Sequence, residues 1–320
     1  MAERPWISVV IPTYNGESHI GEALSSIADQ NVSDLEVVVV DDGSTDGTLE
    51  CVEAFGKRIS IKIIRRDHEG NWVANTNEGM IAASGTWISI LHQDDRWRRG
   101  RLATLKQAMS DYPSARMFLH PAKFVDAGGR PVGSWHCPLP TQTLLSPAFI
   151  LPRLLVQNFV PIVSPLFHRN LMEQAGPMDK ALWYFADWDY WVKLCGTGPA
   201  LYLPGALADF RIHPHSQTAR RTHDLEDVAG QFDLVTGRVM RHAAFPAAKL
   251  KYGKRMTRFS RAVYLYMLAS LHKSRRPHAE LFKSAMLAGP LNWIRYLHYS
   301  RLMDRLLPRL KINRVKQAPE

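Results

Sequence analysis

The sequence predicts an α/β protein in which a mostly parallel central sheet is followed by a C-terminal helical appendage. Segments typical of strands and of helices alternate through the first 120 residues. The strand segments are nearly continuous runs of Val and Ile, and residues 223–312 have helical periodicity without strand-like runs. Strands that are apolar on both faces must be covered by helices on both sides, which is the arrangement of parallel sheets.

The alternation can be followed element by element. Four apolar, β-branched segments are predicted strands: WISVVIP (6–12), LEVVVV (35–40), ISIKIIR (59–65) and TWISILH (86–92). The helical segments that follow them in turn are 17–30, 46–55, 75–84 and 100–112. Residues 120–215 read as irregular and rich in Pro, Gly and Trp, with one helix near 187–196. We therefore expect one domain over residues 1–222 and a basic, mainly helical region over 223–320.

The composition is that of a soluble globular protein, with 46% hydrophobic and 22% charged residues. Three cysteines are too few for a disulfide framework or a zinc cluster, which favours a reducing compartment. The N-terminal segment MAERPWISVV has only a short apolar run, so we expect neither a signal peptide nor a membrane anchor. No apolar run reaches the length of about 18 residues that a spanning helix needs. The expected location is the cytoplasm.

The positive charge is concentrated at one end of the chain. The formal net charge is +10, yet residues 249–316 hold 17 Lys and Arg and two acidic residues, a net charge of +15. The remainder of the chain is therefore acidic. A basic C-terminal region suits phosphate-rich partners such as an anionic lipid, a nucleotide or a nucleic acid.

Polar residues cluster directly after three of the predicted strands. The first strand ends in PTYNG (12–16), the second in DDGSTDG (41–47) and the fourth in HQDD (92–95). Ligands of parallel sheets bind outside the carboxyl ends of the strands, so these segments are expected to converge. Each cluster alone also fits an ordinary turn. Three in succession, two of them with paired acids, favour a shared polar site.

The pair Asp94 and Asp95 at the end of an apolar strand needs a physical reason. Adjacent carboxylates repel one another, and burial adds a desolvation cost. A hard divalent cation, Mg²⁺ or Mn²⁺, binds carboxylate oxygens and would offset this repulsion. Such an ion also neutralises a departing diphosphate. The chain has no phosphate-binding P-loop, no dinucleotide-binding glycine motif and no Gly-x-Ser-x-Gly elbow, which argues against three other classes of enzyme.

Taken in order, these segments resemble the family 2 glycosyltransferases of the GT-A fold. The resemblance rests on ISVVIPTYNGESHIGEALSSIADQ, LEVVVVDDGSTDGT, SGTWISILHQDD, ADWDYWVKL and FRIHPHSQTA, which span roughly residues 6–220. It implies transfer of a sugar, usually with inversion, from a nucleotide-diphosphate donor with Mg²⁺ or Mn²⁺ as cofactor. The donor is expected to be a UDP-sugar. The product is expected to be a surface polysaccharide or glycolipid.

The resemblance also implies roles for individual residues. Asp187 matches the catalytic base, and the metal is held at Asp95 with Asp94 and His213 nearby. The positions that match the family's nucleotide-sugar contacts are Pro12, Thr13, Tyr14, Asn15, Glu17, Asp41, Asp42, Asn77 and Asp94.

Three positions depart from the family pattern. His92 replaces the first acid of the metal motif, Ala186 replaces the Glu before the catalytic Asp, and Thr76 stands where an Arg often precedes Asn77. Metal choice and one diphosphate contact could therefore differ, whereas the base itself is retained.

The residues around Asp187 leave alternatives open. A carboxylate among aromatic residues could be partly desolvated and so tuned as a base. Asp189 is a rival, and an acid at a helix N-terminus can serve only as a cap. The neighbouring tryptophans Trp188 and Trp191, at i and i+3, are expected to face the core. Beyond His213, His215 is a weaker metal candidate.

The basic region has two interpretations of equal weight. Residues 255–312 alternate basic and apolar residues, and Leu291, Ile294, Leu297, Leu302 and Leu306 roughly follow helical spacing. This pattern fits an amphipathic helix on an anionic membrane, which a lipid-linked acceptor would explain. It equally fits a helical cap with a solvated basic face. A nucleotidyltransferase and a nucleic-acid-binding protein are the alternative functions, although no nucleic acid is expected as a partner.

Overall fold

Strands and helices alternate from the start of the chain, as the sequence predicts. The computed structural model describes residues 4–213, 222, 224–272, 276–304 and 306–308. The strands are β1 (Ile7–Thr13), β2 (Leu35–Asp41), β3 (Ser60–Arg65), β4 (Trp87–Ile90), β5 (Arg96–Trp97), β6 (Met117–Leu119), β7 (Ala122–Val125), β8 (Pro131–Trp135), β9 (Leu144–Leu145), β10 (Leu166–His168), β11 (Ala200–Tyr202) and β12 (Ala208–Arg211). The helices are α1 (Glu17–Ala28), α2 (Thr48–Phe55), α3 (Trp72–Ala82), α4 (Arg101–Asp111), α5 (Pro147–Leu154), α6 (Arg169–Ala175), α7 (Ala186–Thr197), α8 (Leu225–Arg241), α9 (Leu250–Leu271), α10 (His278–Ala288) and α11 (Pro290–Ser300).

The large sheet is mostly parallel, which confirms the predicted fold class. Its strand order is β3-β2-β1-β4-β10-β6-β11-β9. Strands β1 to β4 are parallel, and β6 and β11 share their direction because β10 is antiparallel to both β4 and β6. The carboxyl ends of these six strands therefore lie along one edge. The polar segments after β1, β2 and β4 meet there.

The helix α3 approaches the sheet closely at a glycine. All residues of β1 are buried, and α3 contacts both β1 and β2. A Cβ atom added to Gly79 would overlap the side chain of Val10 and would lie 3.1 Å from Cγ2 of Val40. The small residue lets two apolar surfaces pack at short distance, which increases the buried area that stabilises this part of the core.

The middle of the chain is more regular than the sequence predicts. Residues 120–215 contain strands β7 to β12 and helices α5 and α6 in addition to the predicted helix α7. The expectation of irregular structure is wrong because these strands have only two to five residues, too few to show a period of two. Their partners are distant in sequence, as in the pairing of Ala208 on β12 with Trp97 on β5.

A small second sheet lies beside the acid pair. Its order is β5-β12-β7-β8, and β12 is antiparallel to β5 and parallel to β7. Strand β5 begins directly after Asp95, and His213 lies two residues beyond β12. The small sheet thus brings the segments around residues 94 and 213 together.

The C-terminal helices cover the side of the sheet near α7. Helix α8 adds Val228, Phe232 and Val235 to the main hydrophobic core, and α9 packs against α8. Helices α10 and α11 form a hairpin on α9, centred on the buried Phe259 and Tyr296. Within the described ranges, no helix is both long enough and apolar enough to cross a membrane.

The close approach at Gly79 gives a stability test. We expect Gly79→Ala to lower the free energy of unfolding by about 1–3 kcal/mol, because the added methyl group overfills a packed interface. The matched control is Gly230→Ala, since Gly230 is also helical but an added Cβ meets nothing within 4 Å. Better helix propensity should raise its stability by up to about 1 kcal/mol. Urea denaturation measures both variants, and equal effects would contradict the close approach.

Candidate active site

The acid pair lies at the carboxyl end of β4 and forms a compact cluster with His92. A ring nitrogen of His92 and one carboxylate oxygen each from Asp94 and Asp95 all lie within 4.8 Å of one another. Asp95 is only 3% exposed. The Nε2 atom of His92 is buried and has no hydrogen-bond partner among the described residues. The cluster therefore offers one nitrogen and two oxygens to a ligand.

The electrostatics of the cluster fit a divalent cation. Burial and the neighbouring carboxylate of Asp94 raise the pKa of Asp95 well above its usual value, although Arg211 opposes the shift. Burial lowers the pKa of His92, so its ring is neutral and keeps a lone pair. Burial also opposes ionisation of Asp94, but the hydrogen bond with His213 outweighs it and the pKa of Asp94 is lowered. A cation between these groups would relieve the repulsion and use the unpaired nitrogen.

A buried arginine supports the acid pair from below. The backbone N–H of Arg211 donates to Oδ1 of Asp95 at 2.8 Å, and its Nε donates to the backbone oxygen of Asp94 at 2.7 Å. Its Nη2 pairs with Glu22 on α1. Arg211 is the last residue of β12, and the pairing of β12 with β5 places its guanidinium group beside the acid pair. These contacts fix the orientation of the Asp95 carboxylate.

Two further histidines lie beside the cluster. Nε2 of His213 is 2.8 Å from Oδ2 of Asp94, as expected for a residue near the predicted metal. The ring of His19, at the start of α1, is 5.6 Å from that of His213. Burial lowers the pKa of His19, and the positive charge of Arg211 adds to this. The other predicted histidine, His215, lies outside the described residues.

The segments after β1 and β2 form an aromatic and acidic surface. Tyr14 is 39% exposed and stacks on His68 with ring centroids 4.0 Å apart. Asp42 is buried, and its Oδ2 accepts from the N–H of Gly70 at 2.8 Å and lies 2.9 Å from Nδ1 of His68. A half-exposed ring beside a fixed carboxylate is a suitable surface for stacking and hydrogen bonding a planar base.

A glutamine connects this surface to the acid pair. Oε1 of Gln93 accepts from Oγ1 of Thr13 at 2.5 Å and from the backbone N–H of Tyr14 at 2.8 Å. Its Nε2 donates to the backbone oxygen of Tyr14 at 3.1 Å. A side chain at Gly16 would collide with Gln93, which explains the glycine. Pro12 precedes this junction as a buried residue of β1.

Three other residues that are predicted to contact the nucleotide-sugar donor form hydrogen bonds with the loops. Oδ1 of Asn15 accepts from the N–H of Thr45 at 2.8 Å, and Oε2 of Glu17 accepts from the N–H of Gly47 at 3.1 Å. Asp41 accepts two hydrogen bonds within its own turn. These contacts join the loop after β1 to the loop after β2. They fix the position of the surface formed by Tyr14 and Asp42. Direct contact of these three residues with a nucleotide-sugar donor remains a prediction.

The side chain of Asn77 forms hydrogen bonds with a backbone segment that is distant in sequence. Its Nδ2 donates to the backbone oxygen of Met178 at 2.9 Å, and its Oδ1 accepts from the N–H of the same residue at 2.8 Å. The buried amide therefore fastens α3 to the loop that leads to α7. The predicted donor contact of Asn77 remains a prediction.

Asp187 lies in the first turn of α7, at the same edge of the sheet as Asp95. Helix α7 precedes β11, and β11 runs parallel to β6 and hence to β4, so α7 begins at the carboxyl edge. Oδ2 of Asp187 accepts from Nδ2 of Asn158 at 2.9 Å, and Oδ1 accepts from the N–H of Trp188 at 2.7 Å. The helix N-terminus stabilises the ionised carboxylate.

The indole ring of Trp72 contacts both the acid cluster and the segment that precedes α7. The ring of Trp72, the first residue of α3, is 5.1 Å from the ring of His92. Its Nε1 donates to the backbone oxygen of Trp183 at 3.0 Å, four residues before Asp187. Trp72 thus lies between His92 of the acid cluster and the backbone of Trp183, just before α7.

The rival acid is occupied elsewhere. Asp189 is 1% exposed and pairs with Nη1 of Arg238 at 2.9 Å and with Nζ of Lys193 at 3.1 Å. The expectation that Trp188 and Trp191 face the core is correct, since both are fully buried. Asp187, which is less deeply buried than Asp189, therefore remains the predicted base.

Sequence reasoning missed several residues that build the site. It counted His92 only as a lost acid, although its nitrogen belongs to the cluster. Arg211 stood within the segment FRIHPHSQTA and could have been considered there. No local signal pointed to His19, Trp72 or Asn158, because their partners are distant in sequence.

Comparison with known proteins identifies the first part of the chain. Residues 8–145 match the model of glycosyl transferase family 2. Residues 8–145 are a family 2 glycosyltransferase domain. The match includes nearly all of β1, the loops after β1 and β2, and the acid pair after β4, whereas Arg211, His213 and Asp187 lie beyond it.

Curated relatives of this family 2 domain carry glycosyltransferase names. A PGL/p-HBAD biosynthesis glycosyltransferase of Mycobacterium bovis is 29% identical over 199 residues, which cover 62% of this chain and 72% of the relative. TuaG of Bacillus subtilis, named for teichuronic acid biosynthesis, is 30% identical over 118 residues, which cover 36% of this chain and 46% of TuaG. These similarities support a glycosyltransferase.

Solved structures extend the similarity beyond the family 2 domain. TarS 1–349 of S. aureus in complex with UDP-GlcNAc has a TM-score of 0.65 at 18% identity and covers 98% of this chain and 93% of that chain. A longer TarS chain is matched over only 44% of its length. The mannosyltransferase PcManGT of Pyrobaculum calidifontis, in complex with GDP-Man and Mn²⁺, has a TM-score of 0.57 at 19% identity, covering 95% and 88%. The predicted family and the GT-A fold are confirmed.

The acid cluster predicts a specific loss of metal binding. We expect Asp95→Asn to weaken Mn²⁺ binding at least about tenfold, because it removes the charge of the more buried acid of the pair. The amide oxygen can still accept from Arg211, so the fold should be kept. Titration followed by Mn²⁺ electron paramagnetic resonance measures the affinity. Asp34→Asn, at an exposed acid far from the cluster, is the control, and equal Mn²⁺ binding by both variants would contradict the site.

Proposed function

We propose that this protein is an inverting glycosyltransferase that transfers a sugar from a UDP-sugar to a hydroxyl group of a glycan or lipid-linked acceptor. The reaction is a direct displacement with Asp187 as general base. The observation that carries the proposal is the common sheet edge of Asp187 and the acid cluster, joined through Trp72. A sugar held by its diphosphate at the cluster would then face the carboxylate of Asp187.

The donor is held by the segments after β1, β2 and β4. Tyr14 supplies the surface on which the base stacks, and Asp42 accepts a hydrogen bond from its edge. The remaining donor positions line or brace this surface: Pro12, Thr13, Asn15, Glu17, Asp41, Asn77 and Asp94. Because loop-to-loop hydrogen bonds already fix these segments, little ordering is needed on binding.

The displacement balances without another reactant. The acceptor hydroxyl oxygen forms a bond to the anomeric carbon as the bond from that carbon to the diphosphate oxygen breaks. Asp187 takes the hydroxyl proton, and the diphosphate leaves with the bonding electron pair. Attack from the face opposite the leaving group inverts the anomeric centre. Asn158 orients the carboxylate of Asp187 by its hydrogen bond at 2.9 Å.

A divalent cation, Mg²⁺ or Mn²⁺, would be held by Asp95 and Asp94, with His213 and the unpaired nitrogen of His92 as further ligands. When bound, it supplies positive charge that stabilises the leaving diphosphate. Arg211 keeps Asp95 in position for this role. The Mn²⁺ in the PcManGT complex supports this assignment.

The donor and acceptor classes follow from the neighbours and from the C-terminal charge. The UDP-GlcNAc bound to TarS supports uridine, whereas the GDP-Man bound to PcManGT keeps guanosine as the second choice. The names of the relatives support a role in building polysaccharides or glycolipids of the cell envelope. A cytoplasmic enzyme with peripheral contact to an anionic membrane through residues 255–312 fits a lipid-linked acceptor.

A thermal-shift screen of nucleotide sugars tests the donor. With Mn²⁺ present, we expect one UDP-sugar at about 100 times its Kd to add about 2.7 kcal/mol of stability and so raise Tm by a few degrees. The gain should be lost without metal and in Asp95→Asn. A larger gain from a nucleoside triphosphate than from any nucleotide sugar would favour a nucleotidyltransferase and contradict the proposal.

Substitution of the proposed general base, Asp187, distinguishes an effect on the rate of transfer from an effect on donor binding. We expect Asp187→Asn to lower kcat by about 10²–10⁴-fold, because the amide cannot take the acceptor proton. Donor affinity should stay near the wild-type value, since Asp187 acts on the acceptor side. Single-turnover transfer from the stabilising donor gives the rate, and calorimetry gives the affinity.

The control for this substitution is Asp111→Asn, an exposed acid at the end of α4. It should retain both the rate and the affinity. Normal turnover by Asp187→Asn would exclude Asp187 as the base, and a parallel loss of donor binding would show that its role is structural.

A further inference from the structure

The hairpin formed by α10 and α11 has an unusual distribution of residues. Its large apolar side chains face solvent: Phe282 is 70% exposed, Leu291 72% and Ile294 66%, and Met286, Leu287 and Leu297 are more than half exposed. Small polar residues, Ser284 and Ser300, are buried on the opposite face. A hairpin that only capped the domain would place these residues the other way round.

The preceding helix is built in the ordinary way. In α9, Met256, Phe259 and Leu265 face the protein, whereas Lys254 and Arg258 face solvent. Helix α9 therefore fits the interpretation of a packed helix with a solvated basic face, and the membrane interpretation of residues 255–312 stays a prediction. Helix α11 ends at Ser300, and the left-handed residue Arg301 then redirects the backbone and pairs with Asp304. Among the described C-terminal residues, the hairpin carries most of the exposed large apolar side chains, and Met303 and Leu307 after it are 52% and 46% exposed.

The charge around this surface identifies its partner. Lys283 and Arg295 are exposed among the apolar side chains, and residues 249–316 carry a net charge of +15. An apolar surface that carries exposed Lys283 and Arg295, in a region of the sequence with a high positive charge, complements a bilayer with anionic headgroups. A second copy of this chain would bring like charges together, which disfavours self-association.

A small cavity at the base of the hairpin adds an anion-binding feature. It has a volume of about 320 Å³ and is lined by Arg153, His298 and Tyr299 together with the segment 137–140. The buried Nε of Arg153 has no hydrogen-bond partner within the described part of the chain. A headgroup phosphate is the acceptor class that an arginine and a histidine at a water-facing opening would bind.

From these observations we propose that the α10–α11 hairpin inserts its apolar face into the interface of an anionic lipid bilayer. The inference sharpens the peripheral contact proposed above and assigns it to Phe282, Met286, Leu291, Ile294 and Leu297. Helix α9 is the support that joins the hairpin to α8 and to the segment around Val156. The catalytic cleft is thereby held at the membrane, where lipid-linked acceptors are found.

Vesicle sedimentation of the full chain tests the insertion. The wild-type protein should bind phosphatidylcholine vesicles that contain phosphatidylglycerol, and should bind pure phosphatidylcholine vesicles far more weakly. Phe282→Asp combined with Ile294→Asp should lower the partition coefficient at least about tenfold, because two charges enter the buried face. The matched control is Ile81→Asp on α3, which is 80% exposed but outside the hairpin and should bind normally.

A second pair of variants tests the charge. Lys283→Glu combined with Arg295→Glu should weaken binding to anionic vesicles, and the loss should shrink at high salt because screening already weakens the attraction. Lys57→Glu, at an exposed site on another face, should bind as the wild type does.

Three outcomes would overturn the proposal. These are absence of wild-type binding to anionic vesicles, equal loss in Ile81→Asp, or a dimer that the hairpin substitutions dissociate without any vesicle binding. Donor-induced thermal stabilisation is measured on the same variants. If it is retained while vesicle binding is absent, the membrane inference fails and the glycosyltransferase proposal stands. Loss of donor stabilisation in the wild type would instead contradict the proposed function.

Discussion

The burial of two adjacent carboxylates at the end of β4 is the constraint on which the site depends. Asp94 and Asp95 repel one another in a region with little solvent, and a fold can keep them only by surrounding them with compensating groups. Arg211 supplies a buried positive charge and an N–H, and His213 supplies a hydrogen bond. The remaining repulsion is what a bound cation would relieve. The small sheet places Arg211, at the end of β12, and His213, two residues later, beside the acid pair.

The loops around the cluster are fixed by hydrogen bonds between side chains and backbone groups. Gln93 holds the end of β1, Asn15 and Glu17 hold the loop after β2, and Asn77 holds the loop before α7. Each of these side chains satisfies a backbone N–H that would otherwise lack a partner in a partly buried loop. The candidate donor-binding surface is thus held in place by the protein's own hydrogen bonds, which would reduce the entropy lost on binding a ligand.

The sequence predicts the parts of this molecule that depend on local pattern. Strand and helix periodicity gave the first half of the sheet, and the rule that ligands bind at the carboxyl edge gave the convergence of the three polar segments. It did not give the short strands after residue 120, nor the role of Asn77, whose partner Met178 is 101 residues away. It also treated His92 as a missing acid, because only the folded site shows its unpaired nitrogen beside Asp94 and Asp95.

The C-terminal helices show why periodicity alone leaves a helix's orientation open. Both α9 and α11 carry apolar residues at roughly helical spacing, yet α9 turns Phe259 and Leu265 inward and α11 turns Leu291 and Ile294 outward. Helix α9 packs on both α8 and α10, whereas α11 contacts the rest of the protein mainly through Tyr296 and small neighbouring residues. Exposed Leu and Ile side chains lower solubility unless another apolar phase covers them. Their retention beside a large positive charge is therefore best explained by a surface that is itself apolar within and anionic outside.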